Sequence, residues 1–184
     1  MIFKIMDAYR RFARRHPLRF ICICAVLVIC QVVIIWHFSG ENADISGNRS
    51  SSILIGLAGV FAPSANVTKD AIDASETLIN CERVVRKCAH MTEYAILTIL
   101  IWSLLFGIKK LPRRYAYIIP VVFVACLGIL DEANQTRIDG RYGSWFDVCV
   151  DITASMITVY LAYRLTKRYR RKMDPANTNP PSRT

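Results

Sequence analysis

Four apolar runs, each bordered on one side by a cluster of basic residues, constrain this chain more than any other feature. The first, 20–38, carries no charge and is long enough to cross a hydrocarbon core. The others occupy about 88–108, 115–130 and 145–165. Three basic blocks abut them. Lys4, Arg10, Arg11, Arg14, Arg15 and Arg19 precede the first run, and Lys109, Lys110, Arg113 and Arg114 separate the second from the third. Arg164, Lys167, Arg168, Arg170, Arg171, Lys172 and Arg183 follow the fourth. An up-and-down path puts all three blocks on one side, where they hold 17 of the 24 Lys and Arg residues. Of the 14 acidic residues, only Asp7 and Asp174 share that side. The positive-inside rule then orients the chain as a multi-pass protein of the plasma membrane with both termini cytoplasmic. The expected fold is all-α, an integral bundle of four transmembrane helices. A cleaved signal peptide competes for the first run, but that run exceeds a usual h-region and no A-x-A-like site follows it.

Charge and cysteine usage narrow the function classes. A formal net charge of +10 invites nucleic-acid binding. However, no basic block is interleaved with stacking aromatics or set on a binding motif, so nucleic acid is not an expected partner. The lipid bilayer is. Cys22, Cys24, Cys30, Cys126 and Cys149 lie in or beside apolar runs and read as small hydrophobes. Cys81 and Cys88, seven apart on a helix, would stand about 10 Å apart, beyond disulfide reach.

Three regions follow: a basic cytoplasmic N-terminus, 1–19; a transmembrane domain, 20–165; and a basic, partly disordered tail, 166–184, whose disorder is expected from Asp174 onward. Between the first two spans, 39–86 is polar, with serines at 50–52. A short apolar piece, 53–61, punctuated by Gly56 and Gly59, ends at Pro63. Asn66 or Thr68 is placed to cap a further helix carrying Ala71, Ile72, Ser75 and Ile79. Both pieces read as amphipathic helices on the extracytoplasmic side.

Charges within spans are costly and mark functional candidates. Arg86, His90, Glu93 and Tyr94 begin the second span. Asp131, Glu132 and Gln135 end the third, and Arg141, Ser144, Asp147 and Asp151 open the fourth. All belong to the outer ends. Arg86, His90 and Tyr94 are four apart and form one stripe, as do Asp147, Asp151 and Ser155; Asp131 and Gln135 share a face if their helix persists past Glu132. A bundle would gather them in one shallow cavity. Each also has a plain structural use. His90 can serve as a hydrogen-bond partner, Glu93 and Asp151 as register-fixing partners of Arg86, Lys87 or Arg141, and Asp131 and Glu132 as a span terminus. Asp139-Gly140 can be an ordinary turn. His90, Glu93, Asp131, Glu132 and Asp147 offer metal-ligand chemistry. With one histidine, and with Arg86 and Arg141 offsetting the negative charge, neither a metal nor another cofactor is expected.

The string Arg86-Lys-Cys-Ala-His90-Met-Thr-Glu93-Tyr94-Ala-Ile-Leu97 resembles the first signature of the VanZ-like membrane proteins. Asp131-Glu132-Ala-Asn-Gln135, then Gly140-Arg141-Tyr-Gly-Ser144-Trp-Phe-Asp147-Val148, resembles the second. Trp36-His-Phe38-Ser39 is similar to the polar exit of that family's first helix. The resemblance covers about 30–165. Two departures stand out: Ile138-Asp139 where relatives commonly carry an apolar or proline residue, and Ala154-Ser155 where a glycine often follows. The family takes its name from a protein associated with resistance to teicoplanin, a lipophilic glycopeptide acting on cell-wall precursors. The resemblance therefore implies action on, or recognition of, a lipid-linked wall precursor or a lipophilic glycopeptide at an outward-facing site.

A membrane hydrolase or transferase on a lipid-linked substrate is the alternative. Glu93 or Asp147 would be the base, His90 the acid–base partner, and Arg141 the grip on an anionic headgroup. No nucleophile elbow, phosphate loop or paired-histidine zinc motif supports it. A small transporter or structural partner is a third reading, and oligomerisation stays open.

Overall fold

The computed structural model describes residues 2–108, 110–138, 140 and 143–173, which form helices and turns. Lys109, Asp139, Arg141 and the tail from Asp174, for which disorder was expected, lie outside the described residues. In chain order the helices are α1 (Ile2–Arg15), α2 (Pro17–Ser39), α3 (Ala43–Phe61), α4 (Lys69–Ala74), α5 (Glu76–Gly107), α6 (Tyr115–Gln135) and α7 (Trp145–Met173). A single 3-10 turn, Pro63–Ala65, precedes α4. Four of them, α2, α5, α6 and α7, are long and apolar enough to cross a membrane.

α5 is the hub, packing against α2, α3, α4, α6 and α7. The core is small and apolar: Ile35 of α2, Tyr94, Leu97 and Ile101 of α5, and Val124 and Leu127 of α6. Polar side chains are buried beside it, among them Thr98, Asp131, Gln135, Asp151 and Ser155, whereas Val26, Ile29, Val33, Ile118, Val122 and Ile157 are exposed. A water-soluble protein would reverse that distribution. In lipid it is the stable one, because internal partners replace the water that polar groups lack. Ser155 accepts a hydrogen bond from Thr98 Oγ1 at 2.9 Å and joins α7 to α5.

Several elements extend beyond the sequence reading. The basic N-terminus forms α1, whose Tyr9 stacks edge-on against Phe20 of α2 at 5.1 Å. Pro17, lacking an N–H, breaks the path between α1 and α2 while suiting the first turn of α2. The expected short piece at 53–61 is the second half of a 19-residue helix. Asn42 caps it by accepting from the Ile45 N–H at 2.9 Å. Ser50 Oγ donates to the Ser46 carbonyl and Ser52 Oγ to that of Asn48 within the helix, while Ser51 accepts from Lys69 of α4. Thr68, not Asn66, caps α4. Asn66 takes the left-handed conformation at φ 46°, which asparagine tolerates. The helix expected to carry Ser75 breaks there into extended backbone, and α5 starts at Glu76, well before residue 88. α6 continues to Gln135 and α7 into the basic tail.

α1 and the C-terminal part of α7 lie at one end of the bundle, where the Tyr169 hydroxyl donates to the Asp7 carboxylate and fastens α7 to α1.

Candidate functional site

At the end away from the termini, α2, α3 and α5 enclose a cavity of about 200 Å³. α5 contributes Arg86, His90 and Glu93 at helical spacing, α3 contributes Ser46, Arg49 and Ser50, and Phe38 closes the side toward α2. Arg49 pairs with Glu41 at 2.5 Å and stacks over the Phe38 ring, 4.4 Å from its centroid. Arg86 Nη2 lies 3.5 Å from Glu82 Oε1, one turn earlier on α5. His90 Nδ1 stands 3.8 Å from Glu93 Oε2. The cavity thus presents two guanidinium groups, each held by one carboxylate at its back, beside a histidine–glutamate pair. Gln31 of α2 donates to the Glu93 carbonyl at 3.2 Å, which holds that turn of α5 against α2.

Behind the cavity lies a row of acids. Asp131 and Asp151 are buried, at 1% and 4% exposure. α6 does persist past Glu132, so Asp131 and Gln135 share a face and bond at 3.0 Å through Gln135 Nε2. Asp151 packs over Gly128, where an added Cβ would sit 3.7 Å from its Oδ2. Glu132 Oε2 accepts from the Ser144 backbone N–H at 2.6 Å, anchoring the segment that enters α7. Lys87 donates to Asp147 and also lies over the Phe146 ring. Glu93 is within Coulombic reach of Asp131, Arg49 and Glu41, which links the cavity to the acid row.

The single shallow cavity expected from the sequence therefore divides. Arg86, His90 and Glu93 line it. Tyr94 is wholly buried in the core. Asp131, Gln135 and Asp151 form the packed layer behind, while Glu132, Ser144, Lys87 and Asp147 fix the start of α7. Arg141 lies outside the described residues. The sequence reading missed Arg49, which lines the cavity, and Glu41 and Glu82, which pair with its two arginines. Arg49 sits among serines with no apolar periodicity, and only the Asn42 cap signalled that it rides on a helix.

A family model, VanZ/LLP1, matches residues 21–167, well over half of the chain. The chain belongs to the VanZ/LLP1 family. The match takes in every residue of the cavity and of the acid row, whereas α1 falls before it. No curated protein and no solved structure matches this VanZ/LLP1 chain.

Proposed function

We propose that this VanZ/LLP1 protein sits in the plasma membrane with both termini cytoplasmic and its Arg49–Arg86–His90–Glu93 cavity facing outward. There it recognises a cell-envelope component, such as a lipid-linked wall precursor, or a lipophilic glycopeptide of the teicoplanin type. The observation that carries the reading is the convergence of Arg49 and Arg86, from two helices, on one cavity. Guanidinium forks suit carboxylate and phosphate, and amphiphilic envelope molecules present such groups at the membrane surface. Orientation is tested with a chain retaining only Cys81, exposed on α5. A membrane-impermeant maleimide labels it in intact cells; labelling only after lysis overturns the orientation.

Function is tested by a susceptibility panel in a host carrying the wild-type gene, Arg49→Ala/Arg86→Ala, or Glu93→Gln at matched membrane levels. Selective protection against teicoplanin, lost in the variants, is the expected result. No shift against any envelope-active compound overturns the resistance role.

The His90–Glu93 pair favours a second reading, a hydrolase or transferase on a lipid-linked substrate with Glu93 as base. Asp147, the other candidate base, is bonded to Lys87 and is not among the residues that line the cavity. Turnover of a lipid-linked precursor in proteoliposomes tests it, and no product at high protein loading overturns it.

A further inference from the structure

A second cavity lies at the opposite end of the bundle. α5, α7 and α1 enclose a groove of about 450 Å³, walled by Trp102, Phe106, Leu161 and Leu165 and floored by Met6 and Tyr9. It follows α7 from Thr158 to Arg170, about 18 Å at 1.5 Å per residue. That is close to one leaflet's share of a hydrocarbon core about 30 Å thick. Against its basic end sits a pocket of about 350 Å³ that shares Tyr9, Arg10 and Phe106 with it and adds Arg14 and Arg113.

Charge in this pocket is unbalanced. Arg113 stacks on Phe106 at 4.0 Å and donates to its carbonyl, and Arg10 stacks on Tyr169 at 5.0 Å. Among the described residues, none of Arg10, Arg14, Arg113 and Arg170 is ion-paired. Burial, then the nearby charges of Arg170 and Arg10, pull the Arg113 guanidinium below its ordinary value. An anion in the pocket would relieve that repulsion. Two side chains that line the groove carry buried polar atoms, Trp102 Nε1 and Thr166 Oγ1, with no hydrogen-bond partner among the described residues. Thr166 is only 7% exposed. An occupant with acceptor oxygens between its charged head and its chain would satisfy both.

We propose that this groove and pocket form one binding site for an anionic glycerophospholipid of the leaflet on the side of the termini. Its phosphate sits among Arg10, Arg14 and Arg113, its ester carbonyls accept from Trp102 and Thr166, and an acyl chain lies along α7. The site is separate from the Arg49–Glu93 cavity and stands whatever that cavity binds.

The full-length protein in nanodiscs of phosphatidylcholine with one-fifth phosphatidylglycerol tests it, by native mass spectrometry after release. Phosphatidylglycerol is retained by wild type. Arg10→Ala/Arg113→Ala weakens retention about thirtyfold, about 2 kcal/mol at 1.4 kcal/mol per decade, following about 1 kcal/mol per juxtamembrane basic residue. Ala162→Phe, which fills the groove, loses the lipid while keeping all arginines. Arg11→Ala/Arg15→Ala removes equal charge from α1 outside the groove and retains it. Equal loss in that control, or unaltered retention in Ala162→Phe, overturns the site in favour of diffuse attraction. Competition by glycerol phosphate at the lipid's own affinity overturns the lipid and leaves a soluble phosphate pocket. Circular dichroism on each variant separates lost lipid from lost fold.

Discussion

Gln135, at the end of α6, donates its side-chain amide to the Ser39 hydroxyl at the end of α2, 3.1 Å away, and to Asp131 Oδ2, 3.0 Å away. One amide therefore joins two spans 96 residues apart in sequence while supplying a donor to a buried carboxylate. Gln135→Leu is expected to cost about 1–3 kcal/mol, since a buried acceptor loses its donor, and Ser39→Ala only about 0.5–1.5. Thermal unfolding in detergent measures both. Equal losses would place the energy in the Ser39 contact.

Two glycines should respond in opposite ways. A Cβ at Gly143 would lie 2.7 Å from the Glu132 carbonyl oxygen, whereas one at Gly56, in α3, meets nothing within 4 Å. Gly143→Ala should destabilise by about 1–3 kcal/mol, the usual cost of overpacking. Gly56→Ala should stabilise by about 0.5–1 kcal/mol through helix propensity. Paired melting curves decide the matter, and a stable Gly143→Ala would show that the segment entering α7 can shift.

The Lys87–Asp147 pair tests how much the start of α7 depends on charge. Both side chains are more than a third exposed, at 39% and 37%. A double-mutant cycle to alanine should return a coupling of about 0.2–1 kcal/mol, falling with added salt. A salt-independent coupling above 2 kcal/mol would mean that the pair sits in a drier place than its exposure indicates.

Arg49 tests function and stability together. Its side chain is 42% exposed but that of its partner Glu41 only 11%, so Arg49→Ala should lower stability by about 1–3 kcal/mol, the cost of a carboxylate left without its donor. Protection in the susceptibility panel should also be lost, and Arg49→Lys should fail to restore it, because ammonium lacks the planar fork. Rescue by lysine would reduce the role of Arg49 to charge alone.

The four membrane-length helices were legible because bilayer thickness imposes a length and the basic blocks mark where the apolar runs stop. What escaped has a physical reason in each case. α1 was hidden because its arginines dominate the local composition, although Met6, Tyr9 and Ala13 lie on one face of it. α3 was hidden because serines at 50–52 resemble a loop, whereas Ser50 and Ser52 bond back to the preceding turn and Ser51 accepts from Lys69 of α4. Arg49 went with it. Spacing alone put Arg86, His90 and Tyr94 in one stripe with Glu93 beside it, because a stripe on one helix is a local property, but it did not show that Tyr94 turns into the core. The separation of the acid row from the cavity is not local: it depends on how α6 and α7 rotate against α5.

The common level of Glu93, Asp131 and Asp151 also sets a thickness. The charge-free stretch of α7, 152–163, covers about 18 Å, that of α5, 94–107, about 21 Å, and that of α6, 115–130, about 24 Å. An ordinary hydrocarbon core measures about 30 Å. The lipid around this protein must therefore dimple inward, or the helices must keep their acids facing one another below the headgroups. Either way α5, α6 and α7 match thin membrane better than thick, whereas α2, charge-free over 20–39 or about 30 Å, spans the ordinary core, and lipid chain length becomes a variable that stability will register.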